Sequence, residues 1–184
     1  MKTLVIHPDD PSTDFLKEIY LGKGWTVIND HIITRSRSRV ADLIKGHDRI
    51  IMMGHGHSHG LFMSCINPEM VYLLREKQCI CIWCNADNFV LRYRLKGFYT
   101  GMFISEVDEA RYFGINISQE MIDRSNRDFA FEMRLCLDHD DPKLIYEEIK
   151  STYVGVHTVY QFNNDRLYYR DGQSVLSDMK LIIN

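Results

Sequence analysis

His55 and Cys84 are the two side chains whose types and placement could do chemistry together. Each closes an apolar run: Ile50-Ile51-Met52-Met53-Gly54 leads into His55, and Ile80-Cys81-Ile82-Trp83 leads into Cys84. An imidazole beside a thiol supplies a base, and the thiol then loses its proton more readily, as nucleophilic acyl transfer requires. Cys84 would attack a carbonyl, and His55 would act as base and then as acid. Gly56, which has no side chain, would let its N–H face the developing oxyanion together with the N–H of Cys84. The other four cysteines, Cys65, Cys79, Cys81 and Cys136, read as small apolar side chains.

Other clusters offer rival chemistry. In His55-Gly56-His57-Ser58-His59, three imidazoles at alternating positions can converge on zinc and leave a fourth position for water, giving a metal-dependent hydrolase as the alternative. The cysteine reading needs no cofactor; this one needs zinc. Cys81-Ile82-Trp83-Cys84 is formally a C-x-x-C, but positions i and i+3 of a strand face opposite sides, which argues against a redox or zinc role. Glu106 and Asp108, within Ser105-Glu106-Val107-Asp108-Glu109, are candidate substrate-binding carboxylates for a basic side chain; the plainer reading is solvated loop charge. Arg35-Ser36-Arg37-Ser38-Arg39 could touch phosphate, but three Arg without aromatic neighbours read better as a solvated helix start.

Presenting His55 and Cys84 side by side requires two neighbouring strands. Apolar runs predict strands over 2–7, 25–29, 48–53, 79–84 and 98–105. Helical spacing fills the gaps: a segment capped by Ser12 and carrying Phe15, Leu16, Ile19 and Tyr20, then 35–45, 69–78, and 88–96 capped by Asp87. This alternation is the mark of a three-layer α/β/α sandwich with a mostly parallel, doubly wound sheet, here in strand order 2-1-3-4-5. Such a sheet gathers the loops after its strands at one edge, with neighbours about 4.8 Å apart. The positive end of the helix after Cys84 would favour its thiolate. Beyond 105 the sequence predicts helices over 118–138 and 142–150, then a β-hairpin of 156–162 and 166–170 about Asn163-Asn164-Asp165. The expected organisation is one α/β domain over 1–184, with the core sheet in 1–105 and a helical and hairpin part in 106–184.

The pair of motifs resembles the caspase-like cysteine peptidases, a group that includes caspases, metacaspases, gingipains and bacterial caspase-like domains. Those proteins carry an apolar strand ending in His-Gly and a second ending in the nucleophilic Cys, on a doubly wound sheet. Here 50–56 and 80–84 stand in those places, and the likeness covers 1 to about 105. It implies a caspase-like or flavodoxin-like architecture, a Cys84/His55 dyad, and a peptide or protein substrate. The separation, 84 − 55 = 29 residues, is shorter than usual in the family, and Trp83 and Asn85 stand where it has a small residue and often a glycine. A degenerate member would keep the sheet without activity, so a non-catalytic binding or scaffold domain is the third reading.

Composition narrows the setting. The 184 residues carry 22 Lys+Arg and 25 Asp+Glu, a net charge of −3, which excludes a broadly basic nucleic-acid binder. No run approaches the 18 to 20 apolar residues of a membrane span, and the first apolar run is too short for a signal peptide. Five cysteines, an odd number with three crowded into 79–84, do not form a secreted disulfide framework and point to a reducing, cytoplasmic compartment. Nothing in the sequence indicates an oligomeric state.

Overall fold

The computed structural model describes residues 1–30, 36–61 and 65–172. Its strands are β1 (Thr3–Ile6), β2 (Thr26–Ile28), β3 (Arg49–Met53), β4 (Gly56–His57), β5 (Gly60–Leu61), β6 (Gln78–Ile82), β7 (Gly97–Thr100) and β8 (Leu167–Arg170). Six of them form one sheet in the order β2-β1-β3-β6-β7-β8, while β4 and β5 make a small separate antiparallel pair. The first five strands of the large sheet run parallel and β8 closes it antiparallel to β7. The expected 2-1-3-4-5 order therefore describes the parallel part.

The apolar runs form strands because the sheet is covered on both faces. Val5, Ile51, Met53, Ile80, Ile82 and Phe98 belong to one buried cluster, while Leu4, Ile6, Ile50, Met52, Cys79, Cys81 and Tyr99 belong to another. Consecutive strand residues alternate between the two clusters, as the two-residue period of a strand demands. The first face is covered by the 3-10 helix Pro11–Ile19 together with α5 (Gln119–Cys136), α6 (Pro142–Thr152) and α7 (Thr158–Asn164). The second is covered by α1 (Arg37–Lys45), α2 (Val71–Leu74) and α3 (Ala86–Tyr93); α4 (Val107–Tyr112) precedes the long helix. Helices thus flank a mostly parallel sheet on both sides.

One buried charge ties the later helices to the sheet. Arg49, at the start of β3 and almost fully buried, donates to Gln78 Oε1 (2.5 Å), the Leu137 carbonyl (3.0 Å), the His139 carbonyl (2.5 Å) and Asp140 Oδ1 (3.2 Å). Such a guanidinium is tolerable only with its donors so occupied.

Several sequence expectations are corrected. The predicted hairpin is half helix: 158–164 forms α7 and only Leu167–Arg170 is a strand, paired with β7. Val159, Tyr160 and Asn163 are its buried residues, a helical spacing, and Asn163 binds the chain of Ile104 through both amide ends (2.7 and 3.0 Å). The helix expected over 69–78 is shorter, a 3-10 turn at Pro68–Met70 followed by α2, because Gln78 is already in β6. Asp10, not Ser12, caps the Pro11–Ile19 helix, and Asn85, not Asp87, stands at the cap position of α3. Arg35 lies outside the described residues. Among those described, no helix is long and apolar enough to cross a membrane.

Candidate functional site

The register of β3 and β6 positions the candidate pair. Met53 lies opposite Ile82, the last paired residues of the two strands. His55 and Cys84 each follow two residues later, at the same edge of the sheet. Both line one cavity of about 30 Å³, room for about one water, walled by Thr13, Leu16, Gly54, Trp83 and Phe103 among others.

The turns on either side explain how the pair reaches that edge. Gly54 has φ +129°, a conformation closed to most side chains, and its N–H is held by the Ile82 carbonyl (3.1 Å). Asn85, directly after Cys84, is left-handed (φ 63°, ψ 30°), a conformation Asn adopts more readily than other non-glycine residues. Its N–H is fixed by the Gly101 carbonyl (3.2 Å). Gly56 has a packing reason for being glycine, since a Cβ there would lie 2.2 Å from Trp83 Cδ1. The Trp83 indole also donates to the His57 carbonyl (3.2 Å), so the residue before Cys84 pins the loop after His55.

The two groups have other partners. The Cys84 thiol donates to the Phe103 carbonyl (3.4 Å), and its sulfur lies 3.9 Å from Glu109 Oε1. Burial, with the Glu109 charge adding to it, pushes the thiol up to about 11, so the helix end that sequence reasoning expected to favour a thiolate is outweighed. His55 Nε2 lies 2.6 Å from Ser12 Oγ and 3.9 Å from Asp10 Oδ1.

Glu109 and the Asp10–Ser12 pair join the site without standing among the residues the sequence singles out, although both have signals in it. Glu106 and Glu109 form a reciprocal cap on α4, recognisable from a glutamate three residues into a helix. Through it, Glu109 Oε2 accepts from Ser105 N (2.7 Å) and Glu106 N (3.2 Å), leaving Oε1 toward Cys84. The turn Pro8-Asp9-Asp10-Pro11-Ser12 follows a strand and so had to arrive at the same edge as His55.

Next to the small cavity, sharing Phe15 and Ser105 with it, lies a cleft of about 700 Å³. Ser12, Glu106, Asp108, Arg111, Asp123 and Arg127 line it, so both predicted carboxylates are present alongside two guanidiniums. Asp108 is paired with Arg111 at 2.9 Å. The zinc alternative finds no assembled ligand set: among the described residues, no three metal-binding side chains come together. His55 turns to Ser12, whereas His57 Nδ1 accepts from the His59 N–H (3.0 Å) and the two rings meet edge to face. All five cysteines are free thiols.

A fully buried histidine backs the site. His7 follows β1, with its ring 3.6 Å from the position a Cβ on Gly54 would take. Thr13 Oγ1 spends its proton on the Asp10 carbonyl (3.1 Å), so His7 Nε2–H donates to Thr13 (3.1 Å) and Nδ1 accepts from the Tyr20 hydroxyl (3.1 Å). Burial, and then the positive Lys17, lower its pKa from 6.5 to about 4. The unfolded chain therefore takes up a proton that the folded one refuses between those values. Stability is full above pH 6.5 and is expected to fall by about 3 kcal/mol as the pH drops to 4. Urea unfolding at pH 7, 6, 5 and 4 measures this, and a flat profile would contradict the neutral buried ring.

Comparison with known proteins returns no match: no family model fits the chain, and no curated protein or solved structure matches it.

Proposed function

We propose that the chain is a cysteine hydrolase of peptide bonds, of the kind its likeness to caspase-like peptidases implies, with Cys84 as nucleophile and His55 as base. The observation that carries this reading is the matched register: equal overhangs beyond Met53 and Ile82 bring a thiol and an imidazole to one cavity beside a cleft. Two departures from the family pattern also have local explanations. Asn85 supplies the left-handed turn that a glycine would make, and the bulk of Trp83 is taken up over Gly56.

The Cys84 proton passes to His55 and the sulfur attacks the carbonyl carbon. The oxyanion is met by the N–H groups of Gly56 and Cys84, and His55 returns the proton to the leaving amine. Water then hydrolyses the thioester. Because the resting thiol is neutral and turned to Phe103 and Glu109, peptide entry has to release it before the dyad forms. Glu106 is the better of the two carboxylates for a basic substrate group, since Asp108 already shares its charge with Arg111.

The test uses a panel of peptidyl acyloxymethyl ketones with acidic, basic or neutral side chains beside the reactive carbonyl, at pH 7.5, with peptide mapping by mass spectrometry. Modification of Cys84 ahead of the other four cysteines, lost in His55→Ala, is the expected result. The single observation favouring a second reading, a non-catalytic binding domain, is the thiol held at about 11. Equal inertness of all five thiols across the panel would overturn the cysteine reading and favour the binding domain.

A further inference from the structure

We propose that Asp10 and Ser12 form a positioning relay that holds His55 with its proton on Nε2, leaving Nδ1 as the atom that takes the Cys84 proton. The inference rests on the cysteine-hydrolase reading for its catalytic meaning, but the tautomer itself can be observed without any activity.

The number of protons available to the three groups decides the tautomer. Ser12 Oγ lies 2.7 Å from Asp10 Oδ1 and 2.6 Å from His55 Nε2. An ionised carboxylate only accepts, and a serine hydroxyl has one proton to give. Were that proton aimed at His55, two oxygens would face each other at 2.7 Å with nothing between them. The hydroxyl proton therefore goes to Asp10, and the short contact to the ring must be filled by an N–H from His55 Nε2. In a neutral imidazole the proton on one nitrogen makes the other the acceptor, so Nδ1 is the basic atom.

Local structure holds the relay in place. Asp10 Oδ1 also accepts from the Ser12 N–H (3.0 Å), the cap that starts the Pro11–Ile19 helix, so serine and carboxylate are fixed to each other by the backbone between them. Tertiary structure adds only the ring, delivered from β3 across 43 positions of sequence. When Cys84 gives up its proton, the imidazolium keeps Nε2–H on Ser12, and its charge lies 3.9 Å from Asp10. The relay therefore favours the ion pair that proton transfer creates. No proton moves along it, which makes Ser12 and Asp10 positioning residues.

The test is nitrogen-15 NMR of the full chain at pH 8 with labelled histidine, His55 being assigned by its loss in His55→Ala. Wild type is expected to show Nε2 as the protonated nitrogen and Nδ1 as the bare one. Ser12→Ala is expected to mix the two tautomers and slow peptidyl-ketone labelling of Cys84 about 10-fold, a part of the roughly 10² to 10⁴ that a positioned base contributes. Ser12→Thr, which restores the hydroxyl, is expected to recover both. Wild-type His55 protonated on Nδ1, or a Ser12→Ala spectrum identical to wild type, would overturn the relay. A relay seen by NMR in a chain whose Cys84 never labels would instead overturn the hydrolase reading alone.

Discussion

Gly56→Ala is expected to cost the fold about 4 kcal/mol or more and to displace the His55–His59 loop. The added Cβ would lie 2.2 Å from Trp83 Cδ1, 2.5 Å from Cγ and 2.9 Å from the Gly60 carbonyl oxygen. None of these atoms can give way cheaply. Trp83 is 2% exposed, packs edge-on against Phe89 at 5.7 Å, and is tied by its indole N–H to His57. Urea unfolding at pH 7 measures the cost. Trp83→Ala alone should cost about 3 to 5 kcal/mol as a buried aromatic truncation, but less when added to Gly56→Ala, because the two shortest contacts go with the ring and only the one to the Gly60 carbonyl stays. A Gly56→Ala protein within 1 kcal/mol of wild type, or two strictly additive costs, would remove Trp83 as the reason for glycine here.

Alkylation of Cys84 by iodoacetamide, with no peptide present, is expected to rise about 1000-fold between pH 7 and pH 10 and to be rising still at pH 10. At a pKa of about 11, only about one thiol in 10⁴ is ionised at pH 7, against a few per cent of an ordinary cysteine. Burial is the larger cause and the Glu109 charge a second one, so Glu109→Gln should shift the profile to lower pH and speed the reaction at pH 7. Glutamine can still accept from Ser105 and Glu106, so the start of α4 should survive the change. A wild-type profile that levels off below pH 8 would show that the thiol is not held neutral. An unchanged profile in Glu109→Gln would leave burial as its sole cause.

The fold was legible where one physical rule governed many residues at once. Strands β1, β3 and β6 are buried on both faces, so each stood out as an unbroken apolar run, and the helices between them dictated parallel pairing. From that alone, His55 and Cys84 could be placed at one rim. Residues 156–162 failed the same reading because a short run of β-branched and aromatic residues suits a strand or a buried helix equally. What tipped it was Asn163 binding the chain at Ile104, 59 positions away.

The sequence by itself determined which side chains share one edge of the sheet, because strand order and a period of two depend only on patterns repeated along the chain. The tertiary structure decided what state those side chains occupy. Glu109 beside the thiol, Ser12 and Asp10 on the imidazole, and Trp83 over Gly56 join separate loops within a few ångströms. The charge and hydrogen-bond interactions that set proton affinity weaken steeply beyond that distance. The caps themselves, Asp10 with Ser12 and Glu106 with Glu109, have a fixed spacing in the sequence; their contacts with His55 and Cys84 do not, so the linear pattern leaves those open until the loops are packed.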